Sequence, residues 1–342
     1  MQNYLTPAQA AKRLGVTTHT LRVWDKEGKL NTVRTPGNQR RIAESEINRL
    51  LGIVYKERTE ASALSFVAEK INNYKHPAVS NTAMNAQNLT VERELSAGGS
   101  GGNLPKWVLK DSSGQRYYAK ARSRQDSFEP EAEICAYHLA CLLGIPAIKY
   151  ELAILPQLSD EPVSLCRDYT DGKKVMSLYR YIMGVTGINP AVIINGNEKF
   201  DLVMSVLSPE DKEKHTSILY LDYIVGNKDR HLRNFDVWVT PNGSINGLVP
   251  VFDTGDSLFA AESINEISRA CGSGNNFVHS KPYMNPHLKQ EELLRAKGCF
   301  PALNSISRED ITNVINSYFS DKRAEYLCRF VMNNAERLGL LR

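Results

Sequence analysis

The chain has 342 residues, enough for two or three domains of ordinary size. Its apolar fraction of 42% and charged fraction of 23% exclude a wholly disordered chain. The formal net charge is +4, yet residues 1–60 alone carry 11 Lys and Arg against 6 Asp and Glu. A basic N-terminal segment followed by a near-neutral chain indicates a nucleic-acid-binding module joined to another domain.

The sequence predicts a cytoplasmic protein with no membrane partner. No apolar run approaches the ~20 residues needed to cross a bilayer. The first residues, "MQNYLTPAQAAKRLG", lack a basic segment followed by an apolar one, as a signal peptide would have. The six cysteines form no CxxC pair, which favours reduced thiols.

Residues 1–56 predict a helix-turn-helix followed by a wing. Thr6 is a favourable N-cap before Pro7, and a second short helix follows "GVTT" and ends at Gly28. "KLNTVRTPGNQRRI" predicts two short strands around a turn, and "AESEINRLLG" predicts a third helix. Two short helices joined in this way have the dimensions of a helix-turn-helix.

This segment resembles the winged helix-turn-helix of MerR-like and excisionase-like proteins. The resemblance implies that residues 1–56 bind DNA. It also implies a homodimer, because MerR-like DNA-binding domains usually bind as dimers. Arg can grip phosphates or form paired hydrogen bonds with guanine edges, while Thr and His offer short hydrogen bonds. The residues placed on the recognition helix are Thr18, His19, Arg22 and Lys26, and those on the wing are Arg34, Arg40 and Arg41.

Residues 57–90 predict a helix and a polar linker, so the second domain is expected over 91–342. It opens with "LSAGGSGGNLPKWVLK", in which Gly98, Gly99, Ser100, Gly101 and Gly102 precede Lys106. Backbone N–H groups of such a loop could close over an anion, although a flexible turn explains the glycines equally well. The loop does not match GxxxxGK[ST], so it is not the usual phosphate loop of nucleotide hydrolases.

"KWVLKDSSGQRYYAKA" predicts a β-hairpin whose second strand ends in Lys120. The helix "EPEAEICAYHLACLLGIP" follows, and we expect Glu131 and Glu133 in its first turn. These carboxylates could offset the helix dipole, or one could pair with Lys120. In this domain the predicted strands come first in the sequence and the predicted helices follow. This order predicts a two-lobed α+β domain with a protein-kinase layout.

"GNKDRHLRNFDVWV" contains Asp229 and Asn234 at the D-x-x-x-x-N spacing of a kinase catalytic loop. Asp253, in "FDTGD", ends a later apolar strand where a second magnesium ligand belongs. Oxygen ligands of this kind suit Mg²⁺. A zinc site at Asp229 and His231 lacks a third ligand at a suitable spacing. A charged surface turn without function remains the other alternative.

Ordinary protein kinases place His-Arg before the Asp, whereas here Arg230 and His231 follow it. "NKDRHLRN" instead resembles the N-x-D-x-H-x-x-N loop of HipA-like serine/threonine kinases. The resemblance implies ATP, Mg²⁺ and transfer of a phosphoryl group to a protein serine or threonine. It assigns Asp229 as base, Asn234 and Asp253 as metal ligands, Lys120 as phosphate contact, Glu133 as its partner, and His231 as a loop-orienting residue.

Some HipA-like kinases phosphorylate a serine of their own phosphate loop, which makes Ser96 and Ser100 candidates. The leading hypothesis is a HipA-like kinase with a fused DNA-binding domain, as a toxin–antitoxin-type or transcription-linked regulator. One alternative is a DNA-binding regulator whose second domain only senses nucleotide or a partner. Another is a recombination accessory protein that only bends DNA, which leaves some 250 residues unexplained.

Overall fold

The computed structural model of the chain describes residues 4–14, 16–26, 28–34, 39–50, 89–95, 105–155, 157–159, 161–170 and 172–342. The chain divides into two compact units, Met1–Ser65 with Pro156–Ser159, and Phe66–Leu155 with Asp160–Arg342. No helix among the described ranges is both long and apolar enough to cross a membrane.

The smaller unit contains three helices and a three-stranded antiparallel sheet. Its elements are β1 (Tyr4–Leu5), α1 (Pro7–Leu14), α2 (Thr18–Lys26), β2 (Val33–Arg34), β3 (Arg40–Ala43) and α3 (Glu44–Leu50). The sheet order is β1-β3-β2, so the two predicted wing strands are joined by a third that sequence reasoning missed. Six buried side chains form its core: Ala10, Ala11, Leu21, Leu30, Ile42 and Ile47.

The predicted cap of α1 is present as a reciprocal pair of hydrogen bonds. The Gln9 backbone N–H donates to Thr6 Oγ1 at 3.3 Å, and the Thr6 backbone N–H donates to Gln9 Oε1 at 2.9 Å. Two donors that the helix cannot satisfy itself are thereby paired, which fixes where α1 begins.

The larger unit begins with a five-stranded antiparallel sheet in the order β4-β5-β6-β8-β7. Its strands are β4 (Thr90–Leu95), β5 (Lys106–Lys110), β6 (Arg116–Lys120), β7 (Tyr150–Ala153) and β8 (Val163–Arg167). One helix, α4 (Glu129–Leu142), lies between β6 and β7 in sequence and packs against β7 and β8. The predicted hairpin and helix are both present in this half.

A helical half follows, together with a second antiparallel sheet in the order β11-β10-β9. The elements are β9 (Lys174–Ser177), α5 (Leu178–Thr186), α6 (Gly196–Val206), α7 (Pro209–Val225), β10 (Asp236–Val239), β11 (Ile245–Leu248), α8 (Ile264–Ser273), α9 (His287–Ala296), α10 (Arg308–Asn316) and α11 (Asp321–Arg337). β9 ends directly before α5, and its pairing with β10 holds its residues extended.

α7 is the central helix of this half and leads directly into the stretch that contains Asp229. Every side chain from His215 to Val225 is buried, so this part of the helix is enclosed on all sides rather than on one face. Gly226 ends the helix at φ +65°, a left-handed conformation that glycine adopts without strain. A Cβ atom there would lie 3.0 Å from Cε1 of Phe330, so both the backbone and the packing require glycine.

Candidate active site

Three polar residues lie in one row across the larger sheet. Lys106 on β5 is the register partner of Lys120 on β6, and Lys120 is the register partner of Ser164 on β8. Directly opposed residues of antiparallel strands project from the same face. The row therefore places two ammonium groups and a hydroxyl on one side of the sheet.

Lys120 joins the strand half of the unit to the helical half. Its Nζ donates to Glu133 Oε1 on α4 at 2.6 Å and to Asp253 Oδ1 at 2.8 Å. The other carboxylate oxygen of Glu133 accepts a hydrogen bond from Ser164 Oγ at 2.6 Å. The structure thus pairs Glu133, not Glu131, with Lys120, and it shows Glu133 one turn further into α4 than expected.

The charges of this cluster reinforce one another. Burial alone would lower the pKa of Lys120, but the carboxylates of Asp253 and Glu133 override burial and raise that pKa well above its ordinary value. Burial would likewise raise the pKa of Asp253, yet the charges of Lys120 and Lys106 hold it well below its ordinary value. A lysine that stays protonated and an aspartate that stays ionised suit the recognition of phosphate and of a metal ion, respectively.

Asp253 has a backbone φ of +55°, in the left-handed region that side-chain-bearing residues seldom occupy. Non-glycine residues held in this conformation cluster at functional sites, where the surrounding contacts compensate for the strain. The ion pair with Lys120 supplies one such contact.

Hydrogen bonds within the loop between α7 and β10 fix its conformation. The Asp229 N–H donates to Asn227 Oδ1 at 3.1 Å, and the His231 N–H donates to the Asp229 carbonyl at 2.9 Å. Asn234 Nδ2 also donates to the Asp229 carbonyl, at 2.9 Å. Because its nitrogen is used in this way, the Asn234 amide has its oxygen left for a cation. His231 lies beside Asp229, with Nε2 at 3.8 Å from Oδ2.

Arg230 forms the buried support of this loop. It is wholly buried, and its Nε and one terminal nitrogen bind both oxygens of Asp222 at 2.8 and 3.2 Å. Its other terminal nitrogen donates to the carbonyls of Asn234 and Phe252, each at 2.8 Å. One side chain therefore ties α7, the Asp229 loop and the residue before Asp253 together.

Asp222 is buried as completely as its partner. Burial raises the pKa of Asp222 above its ordinary value, against the opposing effect of the Arg230 charge. Asn227 Nδ2 donates to Asp222 Oδ1 at 2.8 Å and adds a third donor to the carboxylate. The pair is thus hydrogen-bonded at each oxygen, which a buried carboxylate requires.

A second lysine reaches Asp229 from a distant part of the chain. Lys281 Nζ donates to Asp229 Oδ1 at 2.8 Å, and both side chains remain partly exposed. The site therefore presents a partly exposed carboxylate with one oxygen bound to an ammonium.

The structure gathers Lys120, Glu133 and Asp253 into one cluster, and it gathers Asp229, His231 and Asn234 into one loop. Arg230 links these two groups. The predicted glycine loop, with Gly98, Gly99, Ser100, Gly101 and Gly102, lies outside the described residues, as does Ser96. Among the residues that are described, no group of three or more His, Cys, Asp or Glu side chains is placed to hold a metal ion.

Sequence reasoning missed Ser164, Asp222, Arg230 and Lys281. A signal existed for Asp222, because it is the one charged residue in the apolar run "SILYLDYIVGN", and a buried charge needs a partner. Lys281 had no local signal, since 52 positions separate it from Asp229.

In the smaller unit, the predicted DNA contacts lie on α2 and on the two wing strands. Thr18, Arg22 and Lys26 follow one another at four-residue spacing, so they share one face of α2, and all three are exposed. His19 is exposed beside them, and so is Arg34 on β2. Arg40 instead pairs with Asp25 at 2.7 Å, and Arg41 donates to Gln39 Oε1 at 2.9 Å.

Comparison with known proteins agrees with both units. Residues 6–42 match the family described as MerR family regulatory protein. The first unit therefore carries a MerR-type helix-turn-helix, as its sequence predicted. No curated protein matches the chain at a significant level.

The larger unit has a kinase-like fold. The chain is similar to the Helicobacter pylori proinflammatory kinase CtkA, with a TM-score of 0.56 and 16% identity over 71% of this chain and 92% of that one. It also matches HipA, from the Shewanella oneidensis MR-1 toxin–antitoxin complex of HipA, HipB and operator DNA, with a TM-score of 0.42 and 13% identity over 73% of this chain and 67% of that one. The predicted α+β architecture, a helix-turn-helix joined to a kinase-like domain, is confirmed.

Proposed function

We propose that the chain is an ATP- and Mg²⁺-dependent serine/threonine protein kinase of the HipA-like type, with a DNA-binding domain over residues 1–56 and a kinase domain over 91–342. The observation that carries this proposal is the ion pair network of Lys120 with Glu133 and Asp253, beside the Asp229 loop. Phosphoryl transfer depends mainly on positioning and charge neutralisation, and these residues supply both.

Lys120 and Lys106 share one face of the sheet, where they would contact the phosphates of ATP. The ion pair with Glu133 holds the Lys120 ammonium at that face, and Ser164 holds Glu133 in turn. The glycine-rich segment that precedes Lys106 would supply backbone N–H groups to the same phosphates.

The magnesium ligands in this proposal are Asp253 and Asn234. The carboxylate of Asp253 stays ionised, and the oxygen of the Asn234 amide is the atom left for a cation, so the donor set fits Mg²⁺. When bound, the ion would neutralise charge on the transferring phosphate. Lys120 holds Asp253 on one side of this site, and Arg230 holds the backbone of Asn234 on the other.

Asp229 would accept the proton of the substrate hydroxyl. In the transfer step, the hydroxyl oxygen bonds to the γ-phosphorus while the bond from that phosphorus to the bridging oxygen breaks. The proton passes to Asp229, and ADP leaves with the electron pair. With Oδ1 bound to Lys281, Oδ2 is the oxygen placed to take the proton. His231, near that oxygen, would help to orient the loop.

The proposal is tested by transfer of label from γ-labelled ATP to casein, to histone and to the chain itself. Asp229→Asn should reduce transfer about 10²- to 10⁴-fold, the usual contribution of a general base. Asp126→Asn, a change to an exposed carboxylate outside the site, should transfer label like the wild type. Equal transfer by wild type and Asp229→Asn would contradict the proposal. A rise in melting temperature with ATP and no transfer would favour the nucleotide-sensing alternative.

The DNA-binding unit would place this kinase activity at a promoter or operator, which suits a transcription-linked regulator acting as a homodimer in the cytoplasm. The exposed face of α2 would enter the major groove, with the wing arginines on the phosphate backbone. A toxin–antitoxin role would require that expression of the wild type, and not of Asp229→Asn, arrests growth.

A further inference from the structure

The Asp229–Lys281 ion pair joins two segments that are far apart in the sequence. Lys281 belongs to the loop of residues 278–286, which follows α8 and precedes α9. Lys281 Nζ is 2.8 Å from Asp229 Oδ1, and both side chains are more than two-fifths exposed. An ion pair this exposed contributes little to stability, so stability alone does not account for it.

Buried side chains hold the 278–286 loop rigidly. Gln290 on α9 donates through Nε2 to the Lys281 carbonyl at 3.0 Å and accepts from the Tyr283 N–H at 3.2 Å. Ser280 Oγ donates to the Met284 carbonyl at 2.6 Å. Gln290, Tyr283 and Ser280 are all buried, so these hydrogen bonds hold the backbone around Lys281 in place.

The same loop is joined to the Asp229 loop by a second, buried contact. His287, at the start of α9, has Nε2 at 2.8 Å from the Asn227 carbonyl, and its own N–H donates to the Val278 carbonyl at 3.0 Å. Asn227 in turn accepts from the Asp229 N–H. Lys281 and Asp229 are therefore positioned by one connected network rather than by the exposed ion pair itself.

We propose that Lys281 contacts the γ-phosphoryl group during transfer and offsets the negative charge that accumulates around it. This inference rests on the proposed kinase function. Asp229 receives the hydroxyl proton, so the reacting phosphorus must pass next to the carboxylate that Lys281 touches. Because the loop that carries Lys281 is held in place before the reaction, the ammonium needs only a small shift to meet the phosphoryl group, which is how preorganised groups lower a barrier.

Atoms and charge balance in the phosphoryl-transfer step. The substrate oxygen forms the new bond to phosphorus, ADP leaves with the electron pair of the old bond, and the proton goes to Asp229 Oδ2. Lys281 exchanges no proton. Its ammonium shifts part of its contact from Asp229 Oδ1 to a phosphoryl oxygen, where the charge is greater in the transition state than in the ground state.

The test compares Lys281→Met and Lys281→Arg in the full-length protein, with Lys289→Met as the matched control. Lys289 is an exposed lysine on α9 that pairs only with its neighbour Glu292 in the described contacts. Lys281→Met should lower label transfer from ATP about 10²- to 10³-fold, as loss of one preorganised group typically does. Lys281→Arg should retain transfer within about tenfold, because the charge is kept. Lys289→Met should behave as the wild type.

A second readout does not depend on turnover. ADP, Mg²⁺ and aluminium fluoride together imitate the transferring phosphoryl group, and ADP with Mg²⁺ alone does not. The gain in ADP affinity caused by aluminium fluoride should fall about tenfold or more in Lys281→Met, while affinity for ADP and Mg²⁺ alone stays unchanged. A purely structural lysine would change the melting temperature and leave this gain intact.

Two outcomes would overturn the inference, and they differ. If Asp229→Asn is inactive and Lys281→Met transfers label within about threefold of wild type with its fluoride gain intact, Lys281 has no part in transfer. If wild type and Asp229→Asn transfer label equally, the proposed kinase function fails and this inference fails with it.

Discussion

Replacing Arg230 with methionine tests the support of the active-site loop. The change removes the guanidinium but keeps a long apolar side chain, so the volume lost is small. Four hydrogen bonds disappear, two to Asp222 and one each to the carbonyls of Asn234 and Phe252. The Asp222 carboxylate then remains wholly buried with only Asn227 as a side-chain donor.

The expected loss of stability follows from the distance and the burial of the Arg230–Asp222 pair. At 2.8 Å and an effective dielectric constant of about 20, the attraction between the two charges is roughly 6 kcal/mol. Much of this attraction offsets the cost of burying both ions, so the intact pair adds little net stability. Removing one ion leaves the other unpaired, and we expect Arg230→Met to lower the free energy of unfolding by about 3–5 kcal/mol.

The assay is urea unfolding of the full chain followed by circular dichroism, in which the larger unit dominates the signal. Arg233→Met is the matched control, because Arg233 lies in the same loop, is exposed, and stacks on Tyr179 with 4.1 Å to the ring centroid. It should cost about 0.5–1 kcal/mol. A loss for Arg230→Met below about 1 kcal/mol, or one equal to the control, would mean that Arg230 does not support the loop.

A double variant separates the charge pair from the rest of the network. Adding Asp222→Asn to Arg230→Met removes the unpaired buried carboxylate, so the double variant should be less destabilised than the sum of the single ones. The expected coupling is about 1–3 kcal/mol. Strict additivity would mean that Asp222 is stabilised by something other than Arg230.

Four further predictions follow from single features of the chain. Lys120→Met should abolish the rise in melting temperature caused by ATP and Mg²⁺, because it removes the cation shared by two carboxylates; an unchanged rise would mean that nucleotide binds elsewhere. Burial lowers the pKa of His287 to about 4 from its ordinary 6.5, so the unfolded chain binds more protons between those values, and stability is lost as pH falls through that window. From pH 7 to pH 5 this one residue should cost about 2 kcal/mol, so urea unfolding of His287→Asn should show a shallower pH dependence by that amount, and equal slopes would contradict it. Gly226→Ala should lower stability by at least about 1–2 kcal/mol in the same assay, because its φ is positive and its Cβ would press on a neighbouring ring; a neutral change would be inconsistent with that packing. Affinity for duplex DNA of random sequence should fall steeply with salt, and Arg34→Ala on the wing should reduce the slope of log K against log salt by about one; an unchanged slope would remove this residue from the interface.

Local pattern was sufficient for most of the secondary structure. The hairpin around "DSSG", the helix after it and the cap at Thr6 depend on residues close together in the sequence, and the structure shows each of them. β1 and β9 carry no such local signal, because each is short and its partner strand lies far away in the sequence. β1 pairs with β3, and β9 pairs with β10.

The residues of the candidate site also fall into those with a local sequence signal and those placed by distant contacts. Asp229 and Asn234 carry their own signal, since they are five residues apart on one loop. Residue pattern alone left Glu131 and Glu133 open as the partner of Lys120; the family resemblance favoured Glu133, and the packing of α4 against the sheet brings that residue to Lys120. Lys281 reaches Asp229 through a loop whose position depends on buried contacts with α9, so no spacing in the sequence could predict it.

The proposed function requires that Asp229 support transfer of the γ-phosphoryl group of ATP to a serine or threonine. Phosphoamino-acid analysis of casein, histone and the chain itself after incubation with γ-labelled ATP measures this transfer. We expect labelled phosphoserine or phosphothreonine with the wild type and Mg²⁺, and none with Asp229→Asn or when EDTA is present from the start. Equal labelling by Asp229→Asn, or labelling that proceeds in EDTA, would contradict the proposed function.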